Sequence, residues 1–276
     1  LKHATEWREG MNISANYFEK TNPYFMNKNF SLSSRVDPDS LCKDLYVDLA
    51  DIYCKDKKLP NGNIIKTKEI VLRLGDKGRY YELVVRIYDE SKWIATVGLG
   101  SDYLGPSIYW AIKAGVSIEN IKSFLKVTRS IGGHILWPRW IKVGNNDFVR
   151  TSINNAKGGA KGFYDRIDLT LCDLKKWYEG KQQCKLESVF DENEFWFQLF
   201  KNFECFIKYF HLESFTNEGK FSIRDLTSFS KGRFFALSTS ETLIPSDIDG
   251  YNKYIDGSVE AITERSGLIK KILTSK

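Results

Sequence analysis

Short runs of β-branched and aromatic residues, partly alternating with polar ones, dominate the first third of the chain. They cover 45–53, 69–74, 79–88 and 93–99. Such runs are typical of antiparallel strands when turn-forming residues separate them. The stretch GDKG at 75–78 offers the positive φ values that a tight hairpin turn requires. The pattern therefore predicts an antiparallel sheet that includes a hairpin over 69–88.

After these runs the apolar residues recur at helical spacing. Two short helices are predicted, over 106–115 and 118–129. Pro106 suits the first turn of the former, and Ser117 is an N-cap for the latter because its side chain can accept a hydrogen bond from a free amide. A brief apolar segment closed by a proline, GHILWP at 133–138, predicts one further strand or a buried extended segment.

Three longer helices are predicted in the second half, over 164–180, 193–213 and from about 246 to 272. Asp165 is an N-cap candidate for the first, and Gly180 ends it. The middle helix carries phenylalanines on more than one stripe, which predicts a position between layers of the fold. Strands followed by helices indicate an α+β fold, in which an N-terminal antiparallel β-sheet packs against a mainly helical C-terminal half.

Composition indicates a globular chain. Apolar residues make up 42% of the 276 residues and aromatic residues 14%, well above the content of a disordered chain. We expect a single α+β domain over 1–276, strand-rich over 40–100 and helix-rich over 106–276, with disorder confined to 1–12. No apolar run reaches the length of a membrane span, and the first residues lack the apolar core of a signal peptide, so a cytoplasmic protein is expected.

The net charge and the absence of standard catalytic motifs limit the partners, cofactors and metal sites that can be expected. The 41 basic and 35 acidic residues give a net charge of +6, which is compatible with an anionic partner without requiring one. Five widely spaced cysteines indicate reduced thiols. The sequence has no P-loop, nucleophile elbow or HExxH motif, and three histidines in all. No organic cofactor and no multi-histidine metal site are expected, whereas an all-carboxylate magnesium site stays open.

The densest basic stretch that also contains glycines lies within 134–168. Its glycines let the backbone approach a ligand closely, and successive amides before a helix can bind an anion. The candidate ligand-binding residues are Arg139, Arg150, Asn154, Asn155, Lys157, Gly158 and Lys161. The candidate catalytic residues are His134, Asp168 and Arg166.

Each of these assignments has a structural alternative. Asp165 at the helix start would satisfy the free amides and repel an anion, as in an ordinary Gly/Lys loop closed by a capping aspartate. An imidazole titrates near neutral pH, so His134 suits proton transfer. Its apolar neighbours equally suit a buried, hydrogen-bonded structural histidine.

Two segments, SIGGHILWP at 130–138 and the stretch TSINNAKGGAKGFYDRIDLTLCDLKKWYEG at 151–180, resemble a bacterial family of uncharacterised proteins. That family has a Gly-Gly-x-x-x-aromatic-Pro segment, an Ile-Asn-x-Ala-basic-Gly loop and an Asp-Arg-aromatic-Asp-Leu-Thr-Leu helix start. This chain differs in a longer loop at 158–161 and in Ile167, which replaces a phenylalanine. Because the family has no assigned activity, the resemblance implies the location of a site without its chemistry. The positions it implies are Ile153, Asn154, Ala156, Lys157, Gly158, Asp165, Arg166 and Asp168.

Two functions fit these observations. The first is a phosphate-ester-processing enzyme that acts on a nucleotide or RNA, a toxin-like or phage-defence effector of a bacterium. In it, the cations of 150–168 stabilise charge at phosphorus while His134 or Asp168 moves a proton. The alternative is a non-catalytic module that binds a nucleotide, a nucleic acid or a protein partner, with the aromatic helix at 193–213 supporting assembly. Binding without turnover would distinguish the second function from the first.

Overall fold

A computed structural model describes most of the chain between residues 43 and 275. The described residues are 43–54, 56–75, 78–87, 95–101, 114–128, 130–138, 140–143, 147–150, 167–181, 184, 186–217 and 247–275. The predicted disordered residues 1–12 and most of the predicted helix over 106–115 lie outside them, as does the candidate cap Asp165.

The described helices and strands are interleaved along the chain, whereas the sequence pattern predicts strands first and helices afterwards. The helices are α1 (Lys43–Tyr53), α2 (Ile118–Thr128), α3 (Ile167–Tyr178), α4 (Glu187–Glu192), α5 (Glu194–Phe197), α6 (Phe203–Tyr209) and α7 (Ile248–Thr274). The strands are β1 (Ile65–Gly75), β2 (Gly78–Ile87), β3 (Ala95–Ser101), β4 (His134–Pro138), β5 (Trp140–Val143) and β6 (Asp147–Arg150). Short 3₁₀ turns cover Ile131–Gly133, Gln198–Phe200 and Glu213–Phe215. The α+β class is confirmed.

The first four strands form one antiparallel sheet in the order β1-β2-β3-β4. Gly75 lies opposite Gly78, so β1 and β2 pair as the predicted antiparallel hairpin. The strand predicted over 93–99 is β3, which pairs with β2 and β4. The strand predicted over 133–138 is β4, and β5 and β6 form a separate two-stranded ribbon directly after it.

The predicted strand over 45–53 is wrong, because this segment is helix α1. Its aromatic and branched residues favour a strand, but Leu45, Tyr46, Leu49 and Tyr53 are buried at spacings of one, three and four. That spacing places them on one side of a helix. Tertiary packing therefore overrides the local β-propensity.

The predicted continuous helix over 193–213 is also wrong, since the chain breaks there into α5, a 3₁₀ turn and α6. Lys201 has a left-handed φ of 65°, which ends the helical path. Asn202 then begins α6, because its side-chain oxygen accepts a hydrogen bond from the Cys205 amide at 2.8 Å. Phe197, Phe200, Phe203, Phe206 and Phe210 nonetheless lie in the core, as expected for this segment, whereas Phe195 is exposed.

Several local helix signals are confirmed. The Ser117 hydroxyl accepts a hydrogen bond from the Asn120 amide at 3.1 Å at the start of α2. Gly180, with φ of 66°, follows the end of α3. Asp247 caps α7 by accepting a hydrogen bond from the Gly250 amide at 2.8 Å.

Helix α7 is the element that joins the parts of the core. It packs against α1, α2 and the 3₁₀ turns Ile131–Gly133 and Glu213–Phe215. At the other side of the core, Trp137 of β4 contacts Phe190 and Phe197, with ring centroids 6.2 and 5.3 Å apart. The sheet and the C-terminal helices therefore share one apolar core.

Candidate functional site

The candidate basic segment 150–168 connects the β5–β6 ribbon to α3. Arg150 is the last residue of β6, and α3 begins at Ile167. The other ligand-binding candidates and one catalytic candidate lie outside the described residues: Arg139, Asn154, Asn155, Lys157, Gly158, Lys161 and Arg166. Their roles stay predictions.

Asp168 lies in the first turn of α3, and its side chain is 4% exposed. A carboxylate at this position is favoured by the positive end of the helix dipole. Thr170 and Asp173 are also buried on α3. The Asp173 carboxylate accepts a hydrogen bond from the Leu186 amide at 2.8 Å, so it serves the connection to α4. Between 168 and 173, α3 thus presents three polar side chains to the interior, which is unusual for such residues.

His134, the first residue of β4, is completely buried. Its Nδ1 lies 2.8 Å from the Ser130 carbonyl oxygen. A carbonyl can only accept, so Nδ1 carries a proton, and any proton transfer by the neutral ring takes place at Nε2. This burial and this hydrogen bond agree with the structural alternative that the sequence leaves open.

A buried arginine forms the most extensive polar centre in the described part of the chain, and the sequence reasoning missed it. Arg265 of α7 is 1% exposed. Its Nη1 donates to the carbonyls of Gly132 and His134, each at 2.6 Å. Its Nε and Nη2 donate to the Phe210 carbonyl at 3.2 and 3.1 Å. Nε also reaches the His211 carbonyl at 3.1 Å.

The remaining hydrogen bond of Arg265 goes from Nη2 to the Tyr53 hydroxyl at 3.3 Å. The described partners of this cation are thus backbone carbonyls and one phenol, whose dipoles replace the water that burial removes. One sequence feature could have revealed it: Arg265 falls three residues after buried Ile262 and four before buried Ile269. A charged residue on the apolar stripe of a helix indicates that buried polar groups form hydrogen bonds or ion pairs with it.

Gly132, the first of the two glycines in SIGGHILWP, makes a close contact with α7. Gly132 has room for no side chain, since a Cβ there would lie 2.3 Å from the Ile262 carbonyl oxygen. The Gly132 amide donates to Ser266 Oγ at 3.0 Å, and Ser266 Oγ lies 2.8 Å from Ser130 Oγ. Glycine is therefore needed where the turn meets the helix backbone.

Burial shifts the pKa values of the ionisable groups around Arg265. Burial raises the pKa of the Tyr53 hydroxyl, while the nearby Arg265 charge acts in the opposite direction. Burial lowers the pKa of the His211 imidazole, and the positive charges of Arg265 and Lys57 lower it further. The ring centroids of Tyr53 and His211 are 5.8 Å apart. Both groups are therefore neutral near pH 7.

Neither a metal site nor a membrane helix is found among the described ranges. No three His, Cys, Asp or Glu side chains there come together as metal ligands. None of the helices described is both long and apolar enough to cross a bilayer. Cys54, Cys172, Cys184 and Cys205 are free thiols.

The fold and this polar centre define an α+β protein whose last helix is tied to its sheet by a buried arginine. The chain belongs to a family of unknown function (DUF6994), which matches residues 21–269. The resemblance to a family without assigned activity is thereby confirmed. No curated protein and no solved structure matches the chain.

Proposed function

We propose that this chain binds and processes a phosphate ester, either a nucleotide or RNA, through the segment 150–168. Four cationic side chains lie in this segment: Arg150, Lys157, Lys161 and Arg166. Cations of this kind stabilise the charge that develops on phosphoryl oxygens in the transition state. Glycines among them allow backbone amides to approach the same oxygens.

The observation that carries the proposal is the burial of Asp168 directly after this basic segment. Asp168 retains 4% exposure where His134 retains none, and the cations Arg166 and Lys161 precede it by two and seven positions along the chain. Such a group suits the abstraction of a proton from an attacking water or hydroxyl. In the proposed reaction Asp168 accepts that proton as the attacking oxygen bonds to phosphorus. The ester P–O bond breaks, the departing oxygen takes a proton from water, and Arg166 and Lys157 hold the phosphoryl oxygens.

A second candidate, binding without turnover, is favoured by the state of His134. This imidazole is fully buried, and its Nδ1 is already bonded to the Ser130 carbonyl. A substrate would have to reach Nε2 from inside the core for His134 to act as an acid or a base. With His134 in a structural role, the segment 150–168 could serve as an anion-binding module alone.

Native mass spectrometry of the protein purified from cells tests the proposal. We expect a co-purifying nucleotide or RNA fragment that is absent from the Lys157→Ala/Arg166→Ala variant. The matched control is Lys270→Ala/Lys271→Ala, which removes the same charge from exposed positions on α7 and should keep the ligand. An empty wild-type protein, or a ligand that the first variant retains, would contradict the proposal.

A turnover assay on the identified ligand then separates the two candidates. If the chain is an enzyme, Asp168→Asn should retain the ligand and lose hydrolysis, because the amide keeps the shape of the carboxylate but cannot accept the proton. Thermal unfolding checks that this buried substitution leaves the fold intact. Retention of the ligand without any wild-type hydrolysis would establish the binding module.

A further inference from the structure

The turn after α6 places the backbone carbonyl of a titratable residue, His211, against the most extensively hydrogen-bonded cation described. His211 has a left-handed φ of 52°, and its carbonyl oxygen lies 3.1 Å from Arg265 Nε. The preceding carbonyl, of Phe210, accepts from the same guanidinium and from the Tyr53 hydroxyl at 3.0 Å. The turn at 210–211 is thus a direct attachment point for α7.

Charges that face His211 come from each element packed around it. Arg265 of α7 and Lys57, which follows α1, are positive. Tyr53 of α1 lies against the ring and is neutral near pH 7, and Glu213 faces Tyr53 from the next turn. Burial is the largest cause that lowers the pKa of His211, and the positive charges of Arg265 and Lys57 lower it further.

We propose that protonation of His211 releases α7 from the turn at 210–211, and we call this contact the latch. Protonation of the His211 imidazole adds a cation beside the Arg265 guanidinium and beside Lys57, in a half-buried position. The repulsion acts on the same turn whose two carbonyls hold Arg265. Release of Arg265 from this turn frees the C-terminal half of α7 and, with it, the bonds from Arg265 to Gly132 and His134.

The sign of the effect follows from the direction of the shift. The folded-state pKa of His211 lies below its ordinary value, so the closed state binds the proton less well than the open state does. Stability from the latch is complete above the ordinary histidine pKa and decreases as pH falls through that value toward the folded-state pKa. Mild acid therefore opens α7 locally, independently of the proposed phosphate-ester chemistry.

Hydrogen exchange of the α7 amides over 262–269 tests the latch. When the pH falls from about 7.5 to about 5.0, we expect the opening constant of the wild-type protein to rise by up to about 30-fold after correction for intrinsic exchange. This is the largest effect that a single group with an ordinary pKa of about 6.5 can have over that range. His211→Asn keeps a residue that tolerates a left-handed φ and removes the titration. Its opening constant should change less than about threefold over the same range.

Equal pH dependence in the wild-type protein and His211→Asn would overturn the proposal. Lys57→Gln provides a second variant that leaves His211 and its turn in place. By removing one of the two repelling charges, it should give a rise between those of the other two proteins. An NMR titration of the His211 ring supplies an independent readout, and a pKa at or above the ordinary histidine value would also overturn the latch.

Discussion

Replacing Gly132 with alanine probes the contact between the Ile131–Gly133 turn and α7. The added Cβ would lie 2.3 Å from the Ile262 carbonyl oxygen, 2.3 Å from Ser266 Oγ and 2.7 Å from the Ser266 amide nitrogen. The Ser266 hydroxyl can rotate away, but the other two atoms belong to the helix backbone. Because carbon atoms in contact prefer separations of about 3.5–4.0 Å, the turn must move away from α7 by about 1 Å.

That displacement breaks the hydrogen bonds that cross the same contact. The Gly132 carbonyl accepts from Arg265 Nη1 at 2.6 Å, and the Gly132 amide donates to Ser266 Oγ at 3.0 Å. A hydrogen bond to a charged group contributes about 1.5–3 kcal/mol and a neutral one about 0.5–1.5 kcal/mol. Adding residual overpacking, we expect Gly132→Ala to lower the free energy of unfolding by about 3–5 kcal/mol.

Urea denaturation followed by circular dichroism measures this loss, with Gly267→Ala as the matched control. Gly267 lies on the exposed side of α7, and a Cβ there would have no neighbour within 4 Å. Alanine at this position should raise the free energy of unfolding by about 0.5–1 kcal/mol, because it reduces the conformational freedom of the unfolded chain. Glycine-to-alanine substitution is thus expected to lower the free energy of unfolding at Gly132 and to raise it at Gly267.

A loss of less than 1 kcal/mol in Gly132→Ala would refute this reasoning. It would mean that the turn can separate from α7 without breaking its bonds to Arg265 and Ser266. Opposite signs for the two glycine variants, in contrast, would assign the effect to the contact rather than to the loss of glycine flexibility.

Three further outcomes are expected. Arg265→Met should lower the free energy of unfolding by about 3–5 kcal/mol, because four carbonyls lose the hydrogen bonds that Arg265 donates to them. Thermal and urea unfolding would detect this, and a loss below about 1 kcal/mol would contradict it. Asp247→Ala should cost about 1 kcal/mol by removing the acceptor of the Gly250 amide, and an unchanged unfolding midpoint would count against that cap. Burial raises the pKa of the Cys54 thiol to about 12. Iodoacetamide at about pH 8 should therefore modify half-exposed Cys205 well before Cys54. Peptide mass spectrometry measures the two rates, and equal rates would contradict this order.

Local signals in the sequence predicted local structure correctly. The glycines at 75 and 78 predicted the hairpin, Ser117 marked the start of α2, and the helix predicted from about 246 begins at its cap Asp247. These features act through the conformation and hydrogen bonds of adjacent residues, so neighbouring sequence is sufficient to read them.

Predictions based on residue type without regard to packing were the ones that failed. Branched and aromatic residues favoured a strand over 45–53, although burial of Leu45, Leu49 and Tyr53 on one side of a helix outweighed that preference. The helix over 193–213 was predicted from continuous apolar content, whereas the left-handed conformation of Lys201 divides it. Neither outcome is encoded by propensity alone.

The sequence by itself determined the α+β class, the β1–β2 hairpin and the start of the last helix, because periodicity, turn residues and caps operate over a few neighbouring positions. It also marked 150–168 as the basic, glycine-containing segment in which the proposed chemistry would take place. Only the tertiary structure decided what SIGGHILWP and Arg265 do. The partners of Arg265 lie between 54 and 212 positions away along the chain, and the contact that requires Gly132 is made by a helix more than a hundred residues later. Such bonds exist only after the core has brought these backbones together, so no local pattern specifies them.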